Sequence, residues 1–172
     1  MSTPEKSYRL RRLRPSDLDS YHKNINDRLI GRNMRNVNYP LSMKEARAHL
    51  KELMQKNASR PKTFDLFVIE INEECAGIIS LGQITINHKA KIGYWLGSKY
   101  RGRGIMTDVV KRMTKYWFKK FSLKRIEAYV VIFNKGSARV LEKCGYRLEC
   151  ITKKNRLKNG KYYDEYQYAI IR

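Results

Sequence analysis

Apolar positions change spacing several times along the chain, and each change marks an element. In YRLRRLR (Tyr8–Arg14) they alternate weakly with arginines, the period of a strand. PSDLDSYHKNIN reads as a helix, with Pro15 at its start and acidic residues in the first turn. SMKEARAHLKELMQKN is a clearer helix: Ser42 caps it, Glu45 completes a capping box, and Ala46, Leu50 and Leu53 share a face. The segment GRNMRNVNYPL between them is polar and irregular and reads as a loop.

The period then shortens to that of strands. TFDLFVIEIN, ECAGIISLGQI and KAKIGYWLG are three successive runs rich in β-branched and aromatic residues. Helical spacing returns where Ile105, Val109, Val110, Met113, Trp117 and Phe121 fall on one side and lysines and Arg112 fill the rest. RIEAYVVI is another strand, and NKGSARVLEKCGY a short helix stopped by Gly145. YRLECITKK and YYDEYQYAII close the chain as a strand pair joined by KNGK. Strands outnumber helices and are interrupted irregularly, so the fold class expected is mixed α/β, a mixed sheet with helices on both faces. No repeat, low-complexity tract or linker breaks the pattern, and one domain over residues 1–172 is expected.

Charge sharpens this picture. The formal net charge is +21, far from balance for 172 residues. Such a field attracts anions: phosphorylated cofactors, nucleic acid, ribosomes or acidic lipid. Cys75, Cys144 and Cys150 follow no C-x-x-C pattern and read as reduced thiols of a cytoplasmic protein, with neither a disulfide frame nor a metal site. The opening MSTPEKSYRLRRLR has no apolar core, so no signal peptide is expected. No run of 18 apolar residues exists, so no membrane span or membrane partner is expected either.

The stretch KYRGRGIMTDVV (Lys99–Val110) places two glycines and two arginines between a strand and a helix. Unpaired amides at a helix start, small residues and flanking cations together make an anion site. Other glycine motifs fail on spacing. GRGIMT lacks the third glycine of G-x-G-x-x-G, and GSKYRGRG has Arg103-Gly104 where a P-loop needs Lys-Ser/Thr. RGRGIMTD begins like an RNA-binding RNP1 strand but lacks its aromatics.

IGYWLGSKYRGRGIMTDVV followed by NKGSARVLEKCGY resembles the acetyl-CoA-binding core of the GNAT superfamily of N-acetyltransferases. KIGYWL…RGRGI…NxxSxRVLEKCGY resembles, more narrowly, the RimJ/RimL-type group, which acetylates N-terminal amines of ribosomal proteins. The resemblance runs from RLRRLRPSDL to NGKYYDEYQYAII. It implies a central, mostly antiparallel sheet of about seven strands. It also implies direct acetyl transfer from acetyl-CoA to a primary amine. By position, the family's loop falls on Arg101, Gly104 and Met106, and backbone amides of Gly102, Arg103, Gly104, Ile105 and Met106 would hold the pyrophosphate, with Met106 departing from the usual small residue. Main-chain groups near Tyr94, Leu96 and Gly97, on a strand splayed from its neighbour, would pair with the pantetheine arm and acetyl carbonyl. Asn134 falls at a cofactor-contacting position, and is equally natural as a helix N-cap. Ser137 matches the serine that protonates the departing thiolate, although a small residue in a first helical turn is also unremarkable. Leu141 stands where polyamine acetyltransferases usually carry tyrosine, which counts against a polyamine acceptor.

No general base is evident. Many relatives read AEIGYWL where this chain reads AKIGYWL, so Lys91 replaces the carboxylate. His88, Glu70, Asp164 and Glu165 remain as weak candidates. An α-amine of pKa near 7.8 is roughly a tenth neutral at pH 7, against about one part in 2,500 for a lysine. A site without a base therefore suits the N-terminal amine of a protein, ribosomal proteins included. Two other readings stay open: acetylation of a small-molecule amine or antibiotic, and an RNA- or ribosome-binding module that retains the fold. Exposed strand edges allow a homodimer.

Overall fold

A computed structural model describes residues 7–172. The opening MSTPEK, on which the expectation of no signal peptide largely rests, lies outside the described residues. The strands are β1 (Arg9–Arg11), β2 (Phe64–Ile71), β3 (Glu74–Thr85), β4 (Lys89–Leu96), β5 (Arg125–Val131), β6 (Arg147–Lys158) and β7 (Lys161–Ile171). They form a seven-stranded sheet in the order β1-β2-β3-β4-β5-β7-β6. Neighbours run antiparallel except β4 and β5, which are parallel and pair only from Lys89–Arg125 to Lys91–Glu127.

Helices cover both faces, as the mixed pattern implies. On one face lie α1 (Leu18–Ile25), α2 (Arg28–Asn33) and α3 (Met43–Ala58); on the other lie α4 (Ile105–Phe121) and α5 (Lys135–Lys143). Alternation along β2 divides its side chains between the two cores. Leu66 and Val68 pack with Tyr21, Ile25 and Leu50, while Ile69 and Ile71 join the core under α4. The apolar stripe of α4 is buried throughout, each large side chain contributing about 1.5–3 kcal/mol. Trp117 ends its stripe on a polar contact, its indole N–H donating to the fully buried Asp65 at 2.9 Å. Lys120 and Arg12 donate to the same carboxylate.

Three boundaries differ from the sequence reading. The first strand ends at Arg11 instead of Arg14, because Arg12 turns its guanidinium onto Asp65 and Leu66. Residues 28–33, which overlap the expected loop, form the short helix α2, whose start is capped by the Asp27 carboxylate accepting from Ile30 N–H at 2.9 Å. The final hairpin is longer than its apolar runs. Lys158 pairs with Lys161 across Asn159 and Gly160, both at positive φ (49° and 72°), the conformation that a two-residue hairpin turn requires.

Candidate active site

The short ladder between β4 and β5 creates the site. Past Lys91 the two strands make no further pairs, so the facing main-chain edge of β4 has no strand partner there. Into this split opens a cleft of about 890 Å³, lined by Tyr94, Leu96 and Val130 at its centre. Its lining includes Gly104 and Thr107 at the start of α4 as well as Arg32 on α2 and His49 on α3.

At the α4 end, the sequence RGRG produces a sharp entry into the helix. Gly102 and Gly104 take φ of 78° and 71°, the left-handed region in which a Cβ costs roughly 1–2 kcal/mol. A Cβ on Gly102 would meet nothing within 4 Å, so the space outside the turn is open. Gly104 supplies no side-chain cap, and the first amide bonded back to it is Asp108 N–H. The amides from Gly102 to Thr107 have no backbone acceptor among the described residues outside the regular elements. That donor set fits a diphosphate. Met106, also among the residues lining the cleft, is buried and packs in the core under α4.

The other residues singled out from the sequence divide sharply. Arg103 is exposed beside the turn. Arg101 is already engaged: its Nε donates to Leu96 O at 2.8 Å and its terminal nitrogen lies 3.4 Å from Asp27. It therefore braces the turn against β4 and α2. Both main-chain groups of Gly97 are already engaged, its N–H donating to Ala76 O and its carbonyl accepting from Tyr100 N–H. This corrects the expectation that Gly97 pairs with a pantetheine arm. Its missing side chain has another reason: a Cβ there would stand 3.0 Å from Asn24 Oδ1.

Ser137 lies in the first turn of α5, across the cleft from β4. Asn134 caps that helix, its Oδ1 accepting from Ser137 N–H at 3.2 Å. The Ser137 hydroxyl donates to the Tyr94 phenol at 2.9 Å, and the phenol donates to Ser137 O at 3.1 Å. Burial raises the Tyr94 pKa above its ordinary value, so the phenol stays protonated at neutral pH. The sequence reading assigned Tyr94 only main-chain groups. Its side chain was invisible there because its partner lies 43 positions away.

Comparison with known proteins now carries weight. A family model described as an acetyltransferase (GNAT) domain matches residues 8–147. The chain belongs to the GNAT acetyltransferase family. It is 41% identical over 102 residues to the probable N-acetyltransferase YjcK of Bacillus subtilis, a match covering 58% of this chain and 56% of YjcK. It is 30% identical over 107 residues to the ribosomal-protein-serine acetyltransferase of Escherichia coli, covering 62% and 60%. The matched segment thus spans less than two thirds of either relative. A solved structure of Mycobacterium smegmatis RimJ in complex with CoA-disulfide superposes with a TM-score of 0.80 at 27% identity, covering 95% of this chain and 81% of that one.

Within this GNAT frame the weak base candidates are placed elsewhere or occupied. His88 sits in the β3–β4 turn and lines no part of the cleft. Glu70 is taken by Arg9 and Arg11, the Arg11 hydrogen bond above all holding its pKa down. Asp164 is half-buried; Lys154 N–H and the Lys153 ammonium hold its pKa down. Glu165 is fully buried beneath the cleft and accepts from Arg156, Asn155 and Arg35. The sequence reading missed His49, which lines the cleft with Nδ1 2.7 Å from the Tyr21 hydroxyl. Desolvation lowers its pKa, so the ring is neutral at pH 7.

One wall of this cleft is formed by α2 and the segment after it. That wall hangs on the last strand hairpin. Lys158 donates to the carbonyls of Gly31, Met34 and Val37, and Arg156 donates to Asn33 O. Two cations from β6 thus satisfy four carbonyls that a six-residue helix and its exit leave open.

Proposed function

We propose that this chain is an acetyl-CoA-dependent N-acetyltransferase whose preferred acceptor is the N-terminal amine of a protein or peptide, ribosomal proteins among them. One observation carries the reading: a single cleft joins unpaired amides at the mouth of α4 to the Ser137–Tyr94 hydroxyl pair.

Acetyl-CoA supplies an acetyl group activated as a thioester. The amides from Gly102 to Thr107 hold its diphosphate, with Arg103 adding charge. The unpartnered edge of β4 orients the carbonyl and stabilises negative charge on its oxygen. The acceptor nitrogen bonds to the carbonyl carbon as the carbon–sulfur bond breaks. Ser137 Oγ gives its proton to the departing sulfur and regains one from solvent, while the Tyr94 phenol, itself protonated, positions the serine by accepting from its hydroxyl. The acceptor nitrogen loses its proton to water, and the products are the amide and free thiol. With no unpaired carboxylate at hand, an amine already partly neutral at pH 7 is favoured. The match to a ribosomal-protein-serine acetyltransferase supports a protein acceptor. The exposed side of α4, with Lys111, Lys115 and Lys119, supports contact with RNA near such an acceptor.

Acetyl-CoA mixed with candidate amines, with released thiol measured by a colour reagent, tests this reading. Peptides with a free N-terminus are expected to turn over at least about tenfold faster than N-blocked peptides whose only amine is lysine, reflecting the neutral fractions. Equal rates would contradict the acceptor assignment. No thiol release across a broad amine panel would contradict the activity.

A further inference from the structure

We propose that Arg32 and Arg35 form an anion-reading end of the acceptor cleft, selecting amines whose own molecule carries a carboxylate nearby. This rests on the acetyl-transfer reading and names the charge class of its acceptor.

Arg32 is exposed and lines the cleft, and it has no acidic partner among the described residues. Its guanidinium carbon lies 4.1 Å from the centroid of the Phe133 ring. Phe133 immediately precedes Asn134, the cap of the helix bearing Ser137, and is braced edge-to-face by Tyr163 with centroids 5.8 Å apart. Arg32 is therefore stacked close to the reacting end of the cleft. Stacking satisfies the guanidinium face and leaves the N–H edge free, the edge that binds a carboxylate in a bidentate fork. An arginine oriented this way loses little freedom on binding.

Arg35 adds to the same end. Its terminal nitrogen is 3.1 Å from Glu165 Oε2, yet the side chain is half exposed. Glu165 already accepts from Arg156 at 2.9 and 2.6 Å and from Asn155 at 2.7 Å, so one carboxylate serves two arginines. Among the described residues the one acid lining the cleft, Glu52, is paired with Lys56 at 2.5 Å. Arg32 has no counter-charge among the described residues. The backbone that presents both arginines is fixed by Lys158 and Arg156 through its carbonyls, so the wall is built in place before any acceptor arrives.

The test compares kcat/KM, at fixed saturating acetyl-CoA, for four N-terminal peptides identical except at positions two and three. Those positions carry Asp-Glu, Asn-Gln, Ser-Ser or Lys-Lys. A free amino acid and its carboxamide form a second pair, separating an α-carboxylate from side-chain carboxylates. The acidic peptide is expected to exceed its Asn-Gln counterpart by about tenfold, mainly through KM, the usual size of one charge-assisted contact. Arg32→Gln is expected to reduce that ratio to about twofold, while Arg32→Lys retains part of it. Arg32 is exposed, stacks on Phe133 and makes no ion pair among the described residues, so its replacement leaves both cores intact; Arg35→Gln serves as the second variant. Equal kcat/KM for acidic and neutral acceptors, or a ratio unchanged in both glutamine variants, would overturn this inference. Thiol release from no acceptor at all would instead overturn the acetyltransferase reading beneath it.

Discussion

Ser137 draws its chemical character from a tyrosine on the opposite wall of the cleft. Replacing it with alanine removes the proton donor for the leaving sulfur, and kcat is expected to fall about a hundredfold in the thiol-release assay. Tyr94→Phe keeps the serine but breaks its link, with an expected loss of about tenfold. The pH profile separates the partners. Tyr94 must stay protonated, and its raised pKa removes any enzyme-derived decline at moderately alkaline pH. With no carboxylate base in play, kcat/KM should rise tenfold per pH unit until the acceptor amine is neutral, near pH 7.8 for an α-amine. A plateau beginning near pH 5 would reveal a base. At this scale the sequence was legible for Asn134 and Ser137, which share one local motif. The Ser137–Tyr94 pair and the Arg32–Phe133 stack join residues far apart in sequence, and no spacing rule reaches them.

The entry to α4 was readable because its glycines, its helix and their order are all local. Gly104→Asp tests it sharply: aspartate tolerates the left-handed conformation and favours a helix start, but repels phosphate. Affinity for CoA is expected to fall at least about tenfold while the melting temperature drops by only about 2–4 °C, the cost of a Cβ in the left-handed region. By contrast, α2 escaped the sequence reading because six residues with an internal glycine show no period. Its stability comes from the Asp27 cap and from Lys158 across the fold. Lys158→Met should therefore raise the acceptor KM while leaving CoA binding in place, measured separately by kinetics and calorimetry. Beneath α4, Asp65 binds Lys120, Trp117 and Arg12; burial opposes ionisation, but these three together hold its pKa below the ordinary value. A depressed carboxylate stabilises the fold above its unfolded pKa of about 3.9 and loses that contribution as pH falls below it. Asp65→Asn is expected to cost about 2 kcal/mol, or roughly 4–8 °C in melting temperature at pH 7, and to flatten the acid limb of thermal stability.

For the whole molecule, a net charge of +21 adds long-range attraction to what the cleft does at short range. Acetyl-CoA and acidic acceptors are drawn by the same field, so both KM values should rise between low and physiological ionic strength. The strands and the helices on both faces were legible because period-two and helical runs mark each element locally, but the order β1-β2-β3-β4-β5-β7-β6, which rests on pairings between distant segments, was not. The divergence of β4 from β5 was not legible in periodicity; only the family resemblance implied it. Everything functional depends on that opening and on the amides at the mouth of α4. Calorimetric titration of acetyl-CoA into the purified chain measures this directly. Saturable one-to-one binding, weakened by Gly104→Asp and retained by Ser137→Ala, is the expected result; no binding by the unaltered chain would contradict the account.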